Sequence, residues 1–565
     1  MLRSNKYSTC TQNYLAVMFA GKWPSGWRAA WEPDQDRQPC EAVKVPFGHS
    51  PQQGEHMQMR WIPAGIVTGL AVLIGSQADA AIISVRPGAD LQNALDSAQP
   101  GDEIVLTAGG RYVGQFRLPK KPFGSVITVR SSAVLPARRI TPADAALLPS
   151  IASGVAAEAI LADGASNWRL DGLKFESNSG GEGTIIALQE ASNVTMDRLL
   201  IVAAAEGQKR AITGNGKQIT LTRSYIANCW RTGQDSQAFA AWDGAGPYTI
   251  RDNYLEAASE NVLFGGADSA AADRIPADIL VEGNHFSKQM SWKGTPKVVK
   301  NLFELKAARR AIIRNNLFER NWTDGQSGTA ILFTVRNQDG RSPWTVVEDI
   351  LFERNVVRDT EGVFAISGYD DEYPSGRTTR ITVRGNLAVA SGNFLLAGGE
   401  VGTLTIDHNT VDQQGTFAVL FKGDVKTAGS SSRRAGRFAV ETLTITNNLA
   451  NHGLYGVFGE EAGIGTPGLT GLTGSFFWTN NVLAGSAARE YEYPALTWKP
   501  ASSEHRSQFN ADYSLRPGSS YRKAATDGQD LGWSGGSAVT PTVDRSRTST
   551  PCAGARSRTG CVPDR

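Results

Sequence analysis

Cysteine is scarce in this chain. Its 565 residues include five, at positions 10, 40, 229, 552 and 561, so no disulfide framework braces the middle. Cys229, alone in that region, is expected to be a small buried filler. An excess of one charge is missing too: the formal net charge is +2, whereas a nucleic-acid-binding domain would be clearly basic. The apolar run Ile62 to Ile74 falls short of the ~20 residues a membrane helix needs. Nowhere does the sequence contain HExxH, a Walker loop or Cys and His at metal-binding spacing. Those absences remove the zincins and the P-loop nucleotide enzymes. What remains is ordinary globular chemistry, 41% hydrophobic and 20% charged.

The ends read differently from the middle. Arg60 precedes the apolar run and Ala78-Asp79-Ala80 follows it, so residues 57–80 have the layout of a secretory signal peptide. Translation is therefore expected to start at Met57 or Met59, with residues 1–56 an upstream extension. The expected location is secreted or periplasmic, with no stable membrane span after cleavage. Residues 536–565, rich in Ser, Thr, Arg and Pro, are expected to form a disordered tail.

Between these ends asparagine recurs in one frame: Asn253, Asn284, Asn316, Asn355, Asn386, Asn409, Asn448 and Asn481. The differences between those positions are 31, 32, 39, 31, 23, 39 and 33 residues, a period that means stacked supersecondary units. Each Asn sits between two β-rich phrases, as in IRNNLFE and VRGNLAV. Such units, with no helix between them, fit one coil of a parallel β-solenoid. The Asn is expected to make the turn by adopting the left-handed conformation, and to stack on its equivalents as an amide ladder. The sixty glycines suit a chain that turns this often. A second apolar phrase follows each turn, among them NVLFGG, NLFELK and AILFTVRN. Ahead of the first coil, Leu91, Ala94, Leu95 and Ala98 recur at helical spacing between Asp90 and Pro100-Gly101, predicting a short helix that lids the solenoid.

The helical cap, the phrase PGDEIVL, the Asn turns and the late phrase YRKAATDGQDLG together resemble the right-handed parallel β-helix proteins of the pectate-lyase-like group. The resemblance spans roughly residues 82–535. It implies an all-β, single-stranded parallel β-helix over residues 81–535, built to hold an extended polysaccharide and no nucleic acid. The same coil hosts lyases, hydrolases, esterases, adhesins and tail spikes, so activity must be argued from a site. No Gly-His-Gly of the galacturonan hydrolases and no WxDH-type phrase of the best-known lyases occurs.

Aligning the second strands on Phe264, Phe303 and Phe333 places Glu304 beside Thr334, and Lys306 beside Arg336, all pointing outward. Coils stand ~4.8 Å apart, and two cations at that spacing suit an anion between them. Many lyases of the group cleave uronic-acid chains by β-elimination, and the resemblance implies Lys306 as base and Arg336 as the carboxylate clamp. Glu304 and Asp268 are the expected calcium ligands, and His285 is a reserve acid or base. Trp292, Trp322 and Trp344 are candidates for stacking on sugar rings, with Arg309 and Asn337 as further substrate contacts. Two rivals stand beside this reading. One is a non-catalytic glycan-binding or adhesin-type surface protein; the other is a glycoside hydrolase using Asp243, Asp370 or Asp371.

Overall fold

The computed structural model describes residues 80–535 apart from 123 and 428–431. The segments expected to be an upstream extension, a signal peptide and a C-terminal tail fall on residues outside those described, save Ala80, as do four of the five cysteines. A typical coil has three strands, as in Glu260–Phe264, Ala277–Glu282 and His285–Ser287. Each strand pairs in parallel with its equivalent in the next coil. The first two strands of every coil merge into a 25-stranded sheet, and the third forms a 14-stranded sheet. This is an all-β parallel β-helix, the architecture expected from the sequence. The helix α1 (Leu91–Ser97) lids it as expected: Asp90 caps the Asn93 amide, and Leu91, Ala94 and Leu95 turn into the core. Cys229 is fully buried, and burial pushes its thiol pKa up.

The asparagine ladder runs unbroken from Asn253 to Asn481. Each side-chain amide donates to the side-chain oxygen of the next Asn at 2.9–3.2 Å. The same oxygen also accepts the backbone N–H of the Asn before it. Ser224 begins the row, its N–H donating to Asn253. One detail departs from the sequence reading. The left-handed residue is the one before the ladder Asn: Asp252, Gly283, Asn315, Arg354, Gly385, His408, Asn447 and Asn480. The ladder Asn spends its side chain on its neighbours, so the backbone strain falls on the residue before it.

Just ahead of the ladder lies a second periodic feature. Arg251, Glu282, Arg314, Glu353, Arg384 and Asp407 pair successively across six coils, alternating in charge. Opposite charges directly across a strand pair favour the correct register and penalise a slip by one coil. Among the described residues no helix is long and apolar enough to cross a membrane.

Candidate active site

The register places one outward-facing row along the helix. Thr213, Ala240, Leu263, Glu304, Leu332, Ala365, Leu396, Val419 and Phe458 pair in turn. The residues flanking Leu263 and Glu304, namely Val262, Phe264, Phe303 and Leu305, belong to the core. Alternation therefore turns Leu263 and Glu304 to the other face. Glu304 is the one carboxylate in this otherwise apolar or hydroxyl row. It is almost fully buried, accepting from Asn301 Nδ2 at 3.0 Å and Thr334 Oγ1 at 3.4 Å, with Lys306 Nζ 3.8 Å away.

Phe264 shares a rung with Leu305 and Phe333, while Phe303 lies between Val262 and Ile331. The expected alignment was thus two residues out of register for Phe303. A shift of two preserves facing, so Glu304 and Lys306 still point away from the core. After Leu305 the Phe264 carbonyl accepts both the Lys306 and the Ala307 amide, at 2.7 and 3.2 Å, which marks a bulge. Beyond it the Arg336 N–H donates to the Lys306 carbonyl at 3.0 Å. Lys306 and Arg336 are therefore brought side by side, by the bulge rather than by the expected rung. Gly265 lies beneath them at φ +93, where a Cβ would come within 2.8 Å of the Lys306 Cβ. Only glycine leaves that room.

Arg336 is held from behind. Its Nη1 donates to Asp370 at 2.6 Å and to Asp371 at 2.9 Å. Burial opposes its charge, but these carboxylates outweigh it and raise its pKa. Both bonds use one nitrogen, so the guanidinium keeps the bidentate Nε and Nη2 edge for another acceptor. Asp370 is fully buried and also accepts the N–H groups of Asn337 and Glu372.

A charged network adjoins Lys306. Arg210 Nε donates to Gln237, whose Nε2 donates to Glu260 at 2.8 Å. Lys300 Nζ stands 2.5 Å from Asp235 and 3.5 Å from Glu260. Burial first, then Asp235, push the Glu260 carboxyl pKa up, while Lys300 pulls the other way. For Lys300, burial is outweighed by Glu260 and Asp235, so its pKa is raised. None of Arg210, Gln237, Asp235, Glu260, Lys300 or Asn301 had been singled out from the sequence. A signal existed: Arg210, Gln237, Glu260 and Asn301 are the polar residues opening successive apolar phrases, and they pair in that order.

Other expected residues serve elsewhere. Asp268 accepts the N–H groups of Asp339 and Arg341, tying two loops together. Glu304 is engaged as described, and among the described residues no three His, Cys, Asp or Glu side chains gather to hold a metal ion. Two engaged carboxylates are fewer oxygen ligands than the roughly six to eight calcium takes. His285 lies in the 14-stranded sheet, 3.0 Å from Glu319 and edge-on to Tyr254, whereas Lys306 follows Asn301–Leu305, a strand of the 25-stranded sheet. Trp292 and Trp322 are buried together with Ala258 and Val299, because apolar loop surface seals there, so neither presents a face to a sugar. Trp344 is half-buried, its indole N–H donating to Ser269. Arg309 pairs with Glu348 at 3.0 Å. Asn337 is fully buried, and its side chain joins Pro374 to Ser342. Of the carboxylates a hydrolase would need, Asp243 is clasped by Arg274 and Asp370 by Arg336.

No protein-family model and no curated protein matches the chain. Among solved structures it is similar to a family 6 polysaccharide lyase from Pseudopedobacter saltans. The identity is 14%, covering 76% of this chain and 90% of that one, with a TM-score of 0.43. A mannuronic-acid-specific family 6 lyase from human gut microbiota is 12% identical, covering 74% and 91%, at a TM-score of 0.40. A family 87 α-1,3-glucanase from Streptomyces thermodiastaticus is 12% identical over 75% and 70%, at 0.33. At these identities the matches say nothing of activity, which has to be argued from this chain's own side chains.

Proposed function

We propose that this protein cleaves an extended uronic-acid polysaccharide by β-elimination on the face where Lys306 and Arg336 lie on adjacent coils. The Lys306 amine takes the proton from the carbon beside the sugar carboxylate. The electron pair left behind forms a carbon–carbon double bond, the glycosidic C–O bond breaks, and the departing oxygen regains a proton from water. Arg336 grips the carboxylate through its Nε and Nη2 edge and holds the charge that develops. Asp370 and Asp371 fix the guanidinium so that this edge faces one way. The observation carrying the reading is the Arg336 N–H to Lys306 carbonyl bond at 3.0 Å, which sets a candidate base and a candidate clamp on adjacent coils. No step is routed through calcium, since the acidic oxygens expected to bind it are engaged within the protein.

The test is a panel of uronic-acid polymers, with and without added calcium, followed by the ultraviolet absorbance of the unsaturated product. Absorbance should rise with at least one polymer and vanish in Lys306→Ala. Binding without absorbance from any polymer would favour an adhesin. Lyase activity that survives Lys306→Ala would move the site elsewhere.

A further inference from the structure

Lys288 is a buried ammonium that the reaction described above does not use. It follows the strand His285–Ser287 and is 0% exposed. Its Nζ lies 2.9 Å from the Ala257 carbonyl, 2.8 Å from that of Ala258, 2.9 Å from that of Ser259 and 3.0 Å from Asn261 Oδ1. Four neutral oxygens thus surround one cation, and no carboxylate touches it. Burial pulls its pKa down to about 7, so it is at and below that pH that the ammonium is charged, with the backbone oxygens standing in for water. Three consecutive carbonyls pointing at one centre also define the path of the chain. They make the corner between the strands Tyr254–Ala257 and Glu260–Phe264. Asn261 locks the same corner from within, its Nδ2 donating to the Leu255 and Ser287 carbonyls at 2.8 Å each.

That corner supports the candidate site. Glu260 is its next residue. The Ala258 carbonyl also accepts the Lys300 N–H at 3.2 Å, and the Ser259 carbonyl accepts the Asn301 N–H at 3.0 Å. Asn301 then donates to Glu304, which faces Lys306. A path therefore leads from the ammonium, through the Ser259 carbonyl and Asn301, to the carboxylate beside the proposed base.

We infer that Lys288 is a positioning residue: its ammonium fills a four-oxygen cage, acting as a built-in monovalent cation that sets the corner on which Glu260, Lys300, Asn301 and Glu304 are placed. The positioning half rests on the lyase reading; the cage does not. Misplacing a reacting group by about 1 Å costs on the order of a hundredfold in rate.

Lys288→Ala removes the cation and leaves a hollow lined by the same oxygens, which a small cation can enter. The variant should melt lower than the parent protein in sodium chloride. Ammonium or methylammonium chloride should restore most of that shift, because a ligand bound only by the folded state stabilises it. Tetramethylammonium, too large for the cage, should not. In lyase assays kcat should fall about a hundredfold with KM little changed, and recover with methylammonium. A variant that melts and turns over like the parent overturns the inference, as does a loss that no small cation reverses. If the variant folds only with ammonium present, the cage stands; if it stays unfolded with every cation, the cage is wrong. Should the parent protein prove to have no lyase activity, the melting series still decides the cage, and only the positioning role falls with the lyase reading.

Discussion

Asn316→Ala tests the ladder at its centre. The Asn316 oxygen accepts both the backbone N–H and the side-chain amide of Asn284, at 2.9 and 3.0 Å. Its own amide donates to the Val281 carbonyl at 2.9 Å and to Asn355 at 3.0 Å. Truncation removes all four bonds, but their costs differ. The Asn284 side-chain amide keeps the Ile250 and Glu282 carbonyls, and the Asn355 oxygen keeps the Asn316 N–H. The Asn284 backbone N–H has no such reserve, and Asn284 is 0% exposed. An orphaned buried donor costs about 1–3 kcal/mol, and the three remaining lost bonds add roughly 1 kcal/mol each, for a total near 4–6 kcal/mol. Urea unfolding of parent and variant should show that loss at unchanged m. Native-state hydrogen exchange localises it: the Asn284 amide should lose protection more than amides several coils away. A loss below about 1 kcal/mol, with Asn284 still protected, would refute the ladder as a source of stability and leave it a mere coincidence of spacing.

Three further outcomes follow from the geometry. Arg314→Glu sets three acids in succession with Glu282 and Glu353, and should unfold about 1 kcal/mol more easily than Arg314→Gln in low salt, the gap closing in high salt. Burial opposes ionisation of Glu319, but hydrogen bonds from His285 and Arg358 outweigh it and hold its pKa at about 2, below the ordinary 4.5. Its folded-state pKa being depressed, the carboxylate's contribution is fully present above about pH 4.5 and lost as pH falls toward 2. It amounts to roughly 3 kcal/mol, so acid unfolding of Glu319→Gln should be flatter across that window, and identical curves would contradict this. Trp292 and Trp322, buried as they are, should keep their emission when a bound oligosaccharide is added to a Trp344→Phe background; quenching there would restore them as sugar contacts.

The architecture was legible because it repeats. Eight asparagines, a helical cap and alternating apolar phrases each constrain the same coil, and a local error cannot undo them together. The position of the left-handed residue was not legible, since Asp252, Arg354 and His408 carry no glycine-like signature. The adjacency of Lys306 and Arg336 was anticipated for a partly wrong reason. Phe303 attracted an alignment two residues off, and parity alone kept Glu304 and Lys306 outward. The bulge that sets Arg336 against Lys306 depends on Gly265 and on a shared carbonyl, neither of which has a sequence period. Long-range partners were invisible for the same reason: Asp370 meets Arg336 from 34 residues away, and Glu319 claims His285 on the other sheet. Tryptophans in loops looked like sugar platforms, but loop surface has to be sealed, and Trp292 and Trp322 do that sealing.

The central claim is chemical, and the mass of the product tests it most directly. Elimination adds no water across the broken bond, whereas hydrolysis adds one. Oligosaccharides released from a uronic-acid polymer should therefore be one water lighter than their saturated counterparts, and Lys306→Ala should release none. Fully saturated products, or unsaturated ones made equally well by Lys306→Ala, would contradict the account.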